Sequence, residues 1–305
     1  MPSPPRSNDW LLLTALVAVW GSSFAMTKIA VTGLDASWVM ALRLAVAALV
    51  LIPYAFAQGE TLTATNSVWA KFTWLGFIGS TLPFLIITWG MHYVSSGVAG
   101  LLMGSIPLFL VVMAHFSLPD ERLTLLKSAG FILGFIGIVI LMGPEQFGHL
   151  ALSGKELQGE LAILAGCLCY AVHAVSAKRL GVEQPAKQSA AVCLAAALMG
   201  VAFAAVTEPH GLANAKSAAV LSVIGLGLFP TALATLMSYR LMARVGPSFV
   251  SYANYLVPVW AVLLGAIAFG EALELRVLAA LVFILGGIAV SRIPPQHQPT
   301  TRTPI

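Results

Sequence analysis

Trp20, Ser23 and Thr27 are spaced by three and four residues, so on a helix an indole and two hydroxyls share one face. The run that leads to them from Trp10 is apolar, and Lys28 closes it. Polar side chains in such a run bond their own helix backbone, stitch neighbouring helices together, or face a water-filled cavity, because hydrocarbon offers them no partner. A second stretch repeats the arrangement 150 residues later: Tyr170 and His173 stand where Trp20 and Ser23 stand, and Lys178 matches Lys28.

Three further runs carry polar faces. One presents Thr81, Phe84, Thr88 and Trp89, with His92 a turn later; another presents Thr231, Thr235, Ser238 and Tyr239. A third opens with Ser248, Ser251, Tyr252, Asn254 and Tyr255 before Pro258. Asn254 is the most informative of these, since an amide has both donors and acceptors to satisfy and would be costly against lipid. The candidate solute-binding set is therefore Trp20, Ser23, Thr27, Thr88, Trp89, Tyr170, His173, Tyr239, Ser251, Tyr252, Asn254 and Tyr255. Trp260 reads equally as packing or as pathway. Pro107 and Pro258 occupy equivalent places, and each removes a backbone donor and can bend its helix into a gate; proline is also simply common in membrane helices. Lys28 and Lys178 either snorkel to the headgroups or attract a carboxylate at the two mouths.

What is missing narrows the chemistry. Every Asp and Glu is expected in a loop or at a helix end, so no buried carboxylate is available to carry a proton or hold sodium. That leaves His173 as the one titratable side chain deep in a span. No glycine-rich phosphate loop with a Lys is present, nor is any convergent set of His and carboxylates at metal-ligand spacing. No cofactor, no metal and no catalytic residue is expected. Cys167, Cys169 and Cys193 all lie within apolar runs and read as small hydrophobes.

The elements that must position these residues follow from composition. The 305 residues are 59% hydrophobic and 9% charged, with a mean hydropathy of +0.91, far from the roughly 25% charge of soluble domains. The net charge of +4 is spread over loops, without the basic, aromatic-laced patch of a nucleic-acid binder. Ten apolar runs are long enough to cross a bilayer, which takes about 20 residues of helix: 10–31, 38–57, 72–91, 97–116, 128–142, 161–177, 189–206, 219–239, 248–269 and 275–291. The amino-terminal run resembles a signal peptide, yet its polar end has a partner in the second half, and it is kept as the first span. With the amino terminus in the cytoplasm, Lys28, Arg43, Lys155, Lys216 and Arg276 lie outside and the other eleven of the 16 Lys and Arg lie inside. The positive-inside rule therefore favours cytoplasmic termini.

Residues 10–143 and 161–292 form two five-span halves. Trp89 matches Tyr239, Glu121-Arg122-Leu123 matches Glu271-Ala272-Leu273, and Gly137-Ile138-Val139 matches Gly287-Ile288-Ala289, all at an offset of 150, while Pro107 matches Pro258 at 151. An odd span count per half makes the second half run upside down. Inverted repeats are the architecture of carriers with a midplane site between the halves. The Gly130-xxx-Gly134 pattern and Gly286-Gly287 permit close helix approach and mark the fifth and tenth spans as scaffold.

The Trp-Gly-Ser-Ser-Phe start with Lys28 and Arg43 resembles the drug/metabolite transporter superfamily, in its ten-span branch of paired EamA domains. So do Ser95-Ser96-Gly97 ahead of the fourth span, Pro107 within it and Glu121-Arg122-Leu123 after it. The second copy departs from the pattern, with Val172 and His173 in place of the Ser22 and Ser23 hydroxyls. The resemblance implies an all-α polytopic protein of a bacterial inner membrane that exports amino acids, purine derivatives or other metabolites. The aromatic and hydroxyl groups suit an amphipathic solute such as an aromatic amino acid, moved by facilitated diffusion or exchange. Proton-coupled efflux through His173 and an intramembrane lipid-modifying enzyme are the alternatives. The expected partners are a small-molecule substrate and the lipid bilayer, with the chain working as a monomer unless the small-residue faces support a homodimer.

Overall fold

A computed structural model describes residues 5–117, 125–142, 154–181, 184–213, 215–250 and 252–291, and all regular structure among them is helical. Ten elements follow in order: α1 (Ser7–Ala30), α2 (Ala36–Ala57), α3 (Asn66–Gly90), α4 (Ser96–Ser117) and α5 (Leu125–Met142), then α6 (Lys155–Leu180), α7 (Pro185–Thr207), α8 (Ser217–Val245), α9 (Ala253–Phe269) and α10 (Leu275–Ser291). A helical turn, Pro247–Val250, precedes α9. Each expected run falls on one of these elements, but 248–269 is divided between the Pro247–Val250 turn and α9, 97–116 is interrupted after Met103, and α5, α9 and α10 are shorter than the other seven spans. The ends extend by a few residues where polar groups reach past the apolar stretch, as at Asn66 and Lys155. This is an integral membrane protein of two inverted five-helix repeats.

Packing pairs each helix with an element of the other repeat. α2 lies along α7 and α5 along α10; α3 meets α6 as α1 meets α8, and α4 meets α9. The α5–α10 contact is backbone-close. A methyl group added at Gly130 would stand 2.5 Å from the Gly287 carbonyl, and one at Gly287 would stand 2.5 Å from that of Gly130. Gly286 has only Leu133 near it, at 3.5 Å, so Gly287 rather than its neighbour carries the contact.

Two interruptions were not legible as regular helix. Phe77–Thr81 in α3 and Gly227–Leu233 in α8 are π-helical, again 150 residues apart. Each adds a residue to the turn next to a proline that cannot donate, Pro83 or Pro230. Such bulges re-aim side chains and recur at functional sites. In α4 the chain stops at Met103 and restarts at Ile106. Pro107 thus sits in the first turn of a new helix, where its missing N–H costs nothing. Pro258 lies inside α9.

Polar locks close both ends. Gly270, at φ 65° and ψ 26°, ends α9 in the left-handed conformation that glycine tolerates best. The reversed chain aims Glu271 at the start of α4, where its carboxylate accepts from Ser96 N (2.7 Å), Ser96 Oγ (2.7 Å) and Gly97 N (2.8 Å). An anion is well placed at those unsatisfied N–H groups. On the same face Lys28 Nζ donates to the carbonyls of Met91 (2.9 Å) and Val94 (2.7 Å) at the end of α3. On the opposite face Asp9 pairs with Arg244 of α8 at 3.0 Å and accepts from Arg6 N at 2.7 Å.

These contacts correct the carboxylate reading. Asp9 and Glu160 are 3% and 4% exposed, so buried carboxylates do exist. Glu160 falls inside α6 because that helix begins at Lys155, before the apolar run that defined its expected start.

Candidate functional site

Between the repeats lies a cavity of about 460 Å³. α1 supplies Trp20, Ser23, Phe24 and Thr27 from the face that their spacing defines. Ser23 Oγ donates to the Trp20 carbonyl at 2.6 Å and Thr27 Oγ1 to the Ser23 carbonyl at 2.7 Å. Their protons are thereby held by their own helix, and the oxygen lone pairs remain to accept from a solute. α3 contributes Gly79, Ser80, Phe84, Ile87 and Thr88, with Met91 just past its end; α8 contributes Pro230, Thr231 and Thr235; α9 contributes Asn254, Val257 and Pro258. Tyr170 enters from α6, and Met103, Gly104 and Ile106 from the break in α4.

Prolines shape the polarity of this wall. Pro258, inside α9, has no N–H to offer the Asn254 carbonyl four residues earlier, and both residues line the cavity. Pro230 likewise cannot serve Leu226. Here the Thr231 hydroxyl donates to the Leu226 carbonyl at 2.8 Å, which turns its lone pairs toward α2. Arg43 uses them: its Nε donates to Thr231 Oγ1 at 2.8 Å, and its guanidinium carbon lies 3.9 Å from the centre of the Phe84 ring.

Of the candidate binding residues, the structure gathers Trp20, Ser23, Thr27, Thr88, Tyr170 and Asn254 around the cavity, with the gating candidate Pro258. Trp89, His173, Tyr239 and Tyr252 are not among the lining residues. His173 Nδ1 meets the Leu75 carbonyl at 3.2 Å. Its ring fills the notch at Gly79, where an added methyl would stand 2.1 Å from Nδ1; the imidazole packs α6 onto the first π segment. Trp89, against Tyr93 at 5.3 Å, and Tyr252, against Trp10 at 6.0 Å, are exposed near opposite helix ends, where amphipathic rings settle at headgroup level. Tyr239 is half-buried outside the lining. Ser251 and the Tyr255 side chain lie outside the described residues. Pro107 is buried behind the α4 break. Lys28 caps α3, and Lys178 is exposed at the end of α6. Trp260 donates to Ser22 Oγ at 3.2 Å and covers Gly21, which makes it packing between α1 and α9.

Arg43 was missed as a site residue. From the sequence it counts among the outer charges and in the family resemblance, early in the second span, and not in the binding set. The available signal was its position eight residues into α2, too deep for a membrane-facing charge.

The EamA-like transporter family matches residues 9–143 and again 157–293. The chain belongs to that family. Among similar curated proteins, the uncharacterized transporter YoaV of Bacillus subtilis is 24% identical, over 90% of this chain and 94% of its own length. A Streptantibioticus cattleyicolor protein named "Probable terminal-alkyne amino-acid exporter" is 25% identical over 86% and 85%, and the uncharacterized inner membrane transporter YedA of Escherichia coli K12 is 25% identical over 86% and 83%. One solved crystal structure superposes with a TM-score of 0.67 at 24% identity, covering 94% of this chain and 97% of its own; it supports the fold of this transporter.

Proposed function

We propose that this EamA transporter exports small amphipathic metabolites, amino acids first among them, by alternating access of its two repeats around the cavity, and that it does so as a single chain in a bacterial inner membrane with both termini in the cytoplasm. The observation that carries the reading is the cavity itself. It lies between inverted halves, is walled by both, and mixes aromatic and aliphatic surface with hydroxyls and an amide. A volume near 460 Å³ is at the small end of ligand pockets and suits a solute of amino-acid size. The Streptantibioticus relative, named as an amino-acid exporter, supports the substrate class.

Facilitated diffusion or exchange is the mode this wall suits. A coupling ion needs a site occupied differently in the two conformations, and no described lining residue is a carboxylate. The deciding experiment is flux in proteoliposomes of the full chain with labelled amino acids, nucleosides and sugars. Gradient-driven flux of one or more amino acids is expected. Flux confined to nucleosides or sugars would replace the substrate class, and flux of none of the panel would remove the reading.

A further inference from the structure

Arg43 is the one charged group among the described residues that line the cavity. Of its five N–H donors, the Nε–H goes to Thr231 Oγ1 and the guanidinium face to Phe84. No hydrogen bond from its terminal nitrogens to a described residue is present, and the described side-chain ion pairs, Asp9–Arg244 and Glu274–Arg276, lie elsewhere. A guanidinium within a membrane domain is costly without a counter-charge. This one is nevertheless held rigidly, since Thr231 is itself fixed by the Leu226 carbonyl and Phe84 supports the plane. A planar fork on the cavity wall, with its terminal donors not engaged by a described residue, matches a carboxylate in two parallel charge-assisted bonds.

We propose that Arg43 is the anchor for a substrate carboxylate, so that the cavity selects amphipathic carboxylic acids and rejects organic cations. The inference rests on the reading of this cavity as the transport site, and deepens it. The anion would neutralise the wall, while Trp20, Phe24, Ile87, Met103, Ile106 and Val257 receive the apolar body. For an α-amino acid, the Asn254 side-chain oxygen and the hydroxyl lone pairs of Ser23 and Thr27 offer acceptors to the ammonium. A cation with no acid group would meet like charge at Arg43 and gain nothing from it.

The test uses matched pairs of L-phenylalanine, L-leucine, L-methionine and L-tryptophan with their carboxamides. Each is added to the purified full-length protein, and binding is read as a rise in melting temperature with concentration. At least one acid should bind more tightly than its amide by about tenfold or more, equivalent to ~1.4 kcal/mol. Arg43→Gln should erase that preference by weakening the acid and leaving the amide unchanged, and Arg43→Lys should restore part of it. A merely structural Arg43 would weaken both members of a pair alike. Should Arg43→Gln fail to fold, Phe84→Leu keeps the charge but loosens its seat and should shrink the ratio severalfold. Equal binding of acid and amide, preference for the amide, no binding by any pair, or a ratio unmoved by the folded variants overturns the proposal. Flux in proteoliposomes separates it from the wider reading. Amides carried as well as acids would remove the anchor and leave the transporter, whereas Arg43-dependent binding without flux would do the reverse.

Discussion

Asn254 shows how one side chain can be assigned from chemistry and then from place. An amide in an apolar run needs partners, and the fold puts it on the cavity wall beside Pro258. Truncation to Ala removes a hydrogen-bonding group without breaking a helix contact. Asn254→Ala should therefore lower transport by about fivefold, the worth of one net hydrogen bond of ~1 kcal/mol, while size-exclusion profile and yield stay as in the parent. Loss of folded protein instead would make Asn254 a strut between helices. His173 went the other way. It was the only expected titratable group within a span, and the structure turns it to the Leu75 carbonyl and the Gly79 notch. Its first role is to hold α6 against the π segment, and variants there should be read for stability before transport.

At the scale of the element, the π segment of α8 links backbone to site. Pro230 withholds the donor that Leu226 would otherwise receive, Thr231 supplies a hydroxyl instead, and that hydroxyl orients Arg43. Pro230→Ala returns an N–H to Leu226 and permits an ordinary α-turn, which would rotate Thr231 away. Transport should fall severalfold with no drop in melting temperature, since the helix gains a bond of about 1 kcal/mol. Unchanged flux in a folded Pro230→Ala protein would show that the bulge does not serve the site. α5 and α10 make the contrasting case. Their facing glycines, Gly130 and Gly287, allow backbone contact outside the cavity lining, so substitutions there act on packing.

At the scale of the molecule, the inverted repeats make two measurements decisive. If both termini are cytoplasmic, as proposed from the distribution of Lys and Arg, single cysteines at Gly33 or Gly154 should react with an impermeant reagent from outside and one at Gly246 should not. The reverse pattern would invert the protein in the membrane. Transport should also follow the substrate gradient alone. Asp9 and Glu160 are buried, but Asp9 is paired with Arg244 and neither lines the cavity. An imposed pH gradient should therefore leave steady-state accumulation unchanged. Concentrative uptake lost in Glu160→Gln or His173→Gln would identify the coupling group and end the facilitative reading.

Helix number, the repeat and its inversion were determined by the sequence itself. Each span must satisfy its own backbone in hydrocarbon, so about 20 apolar residues suffice to define a helix, and an offset of 150 with five spans per half does the rest. The α1 face of Trp20, Ser23 and Thr27 was legible for the same local reason, a fixed helical period. Only tertiary structure decided which polar faces converge. Trp89 and Tyr252 had the right chemistry but stand near helix ends, while Arg43, early in its apolar run and counted as an outer charge, lies on the cavity. Depth along a span depends on where a helix begins, and α6 begins six residues before its apolar run. The π segments shifted the faces of α3 and α8 by a residue. Partners such as Glu271 with Ser96, or Lys28 with the end of α3, come from chain segments that no local pattern connects.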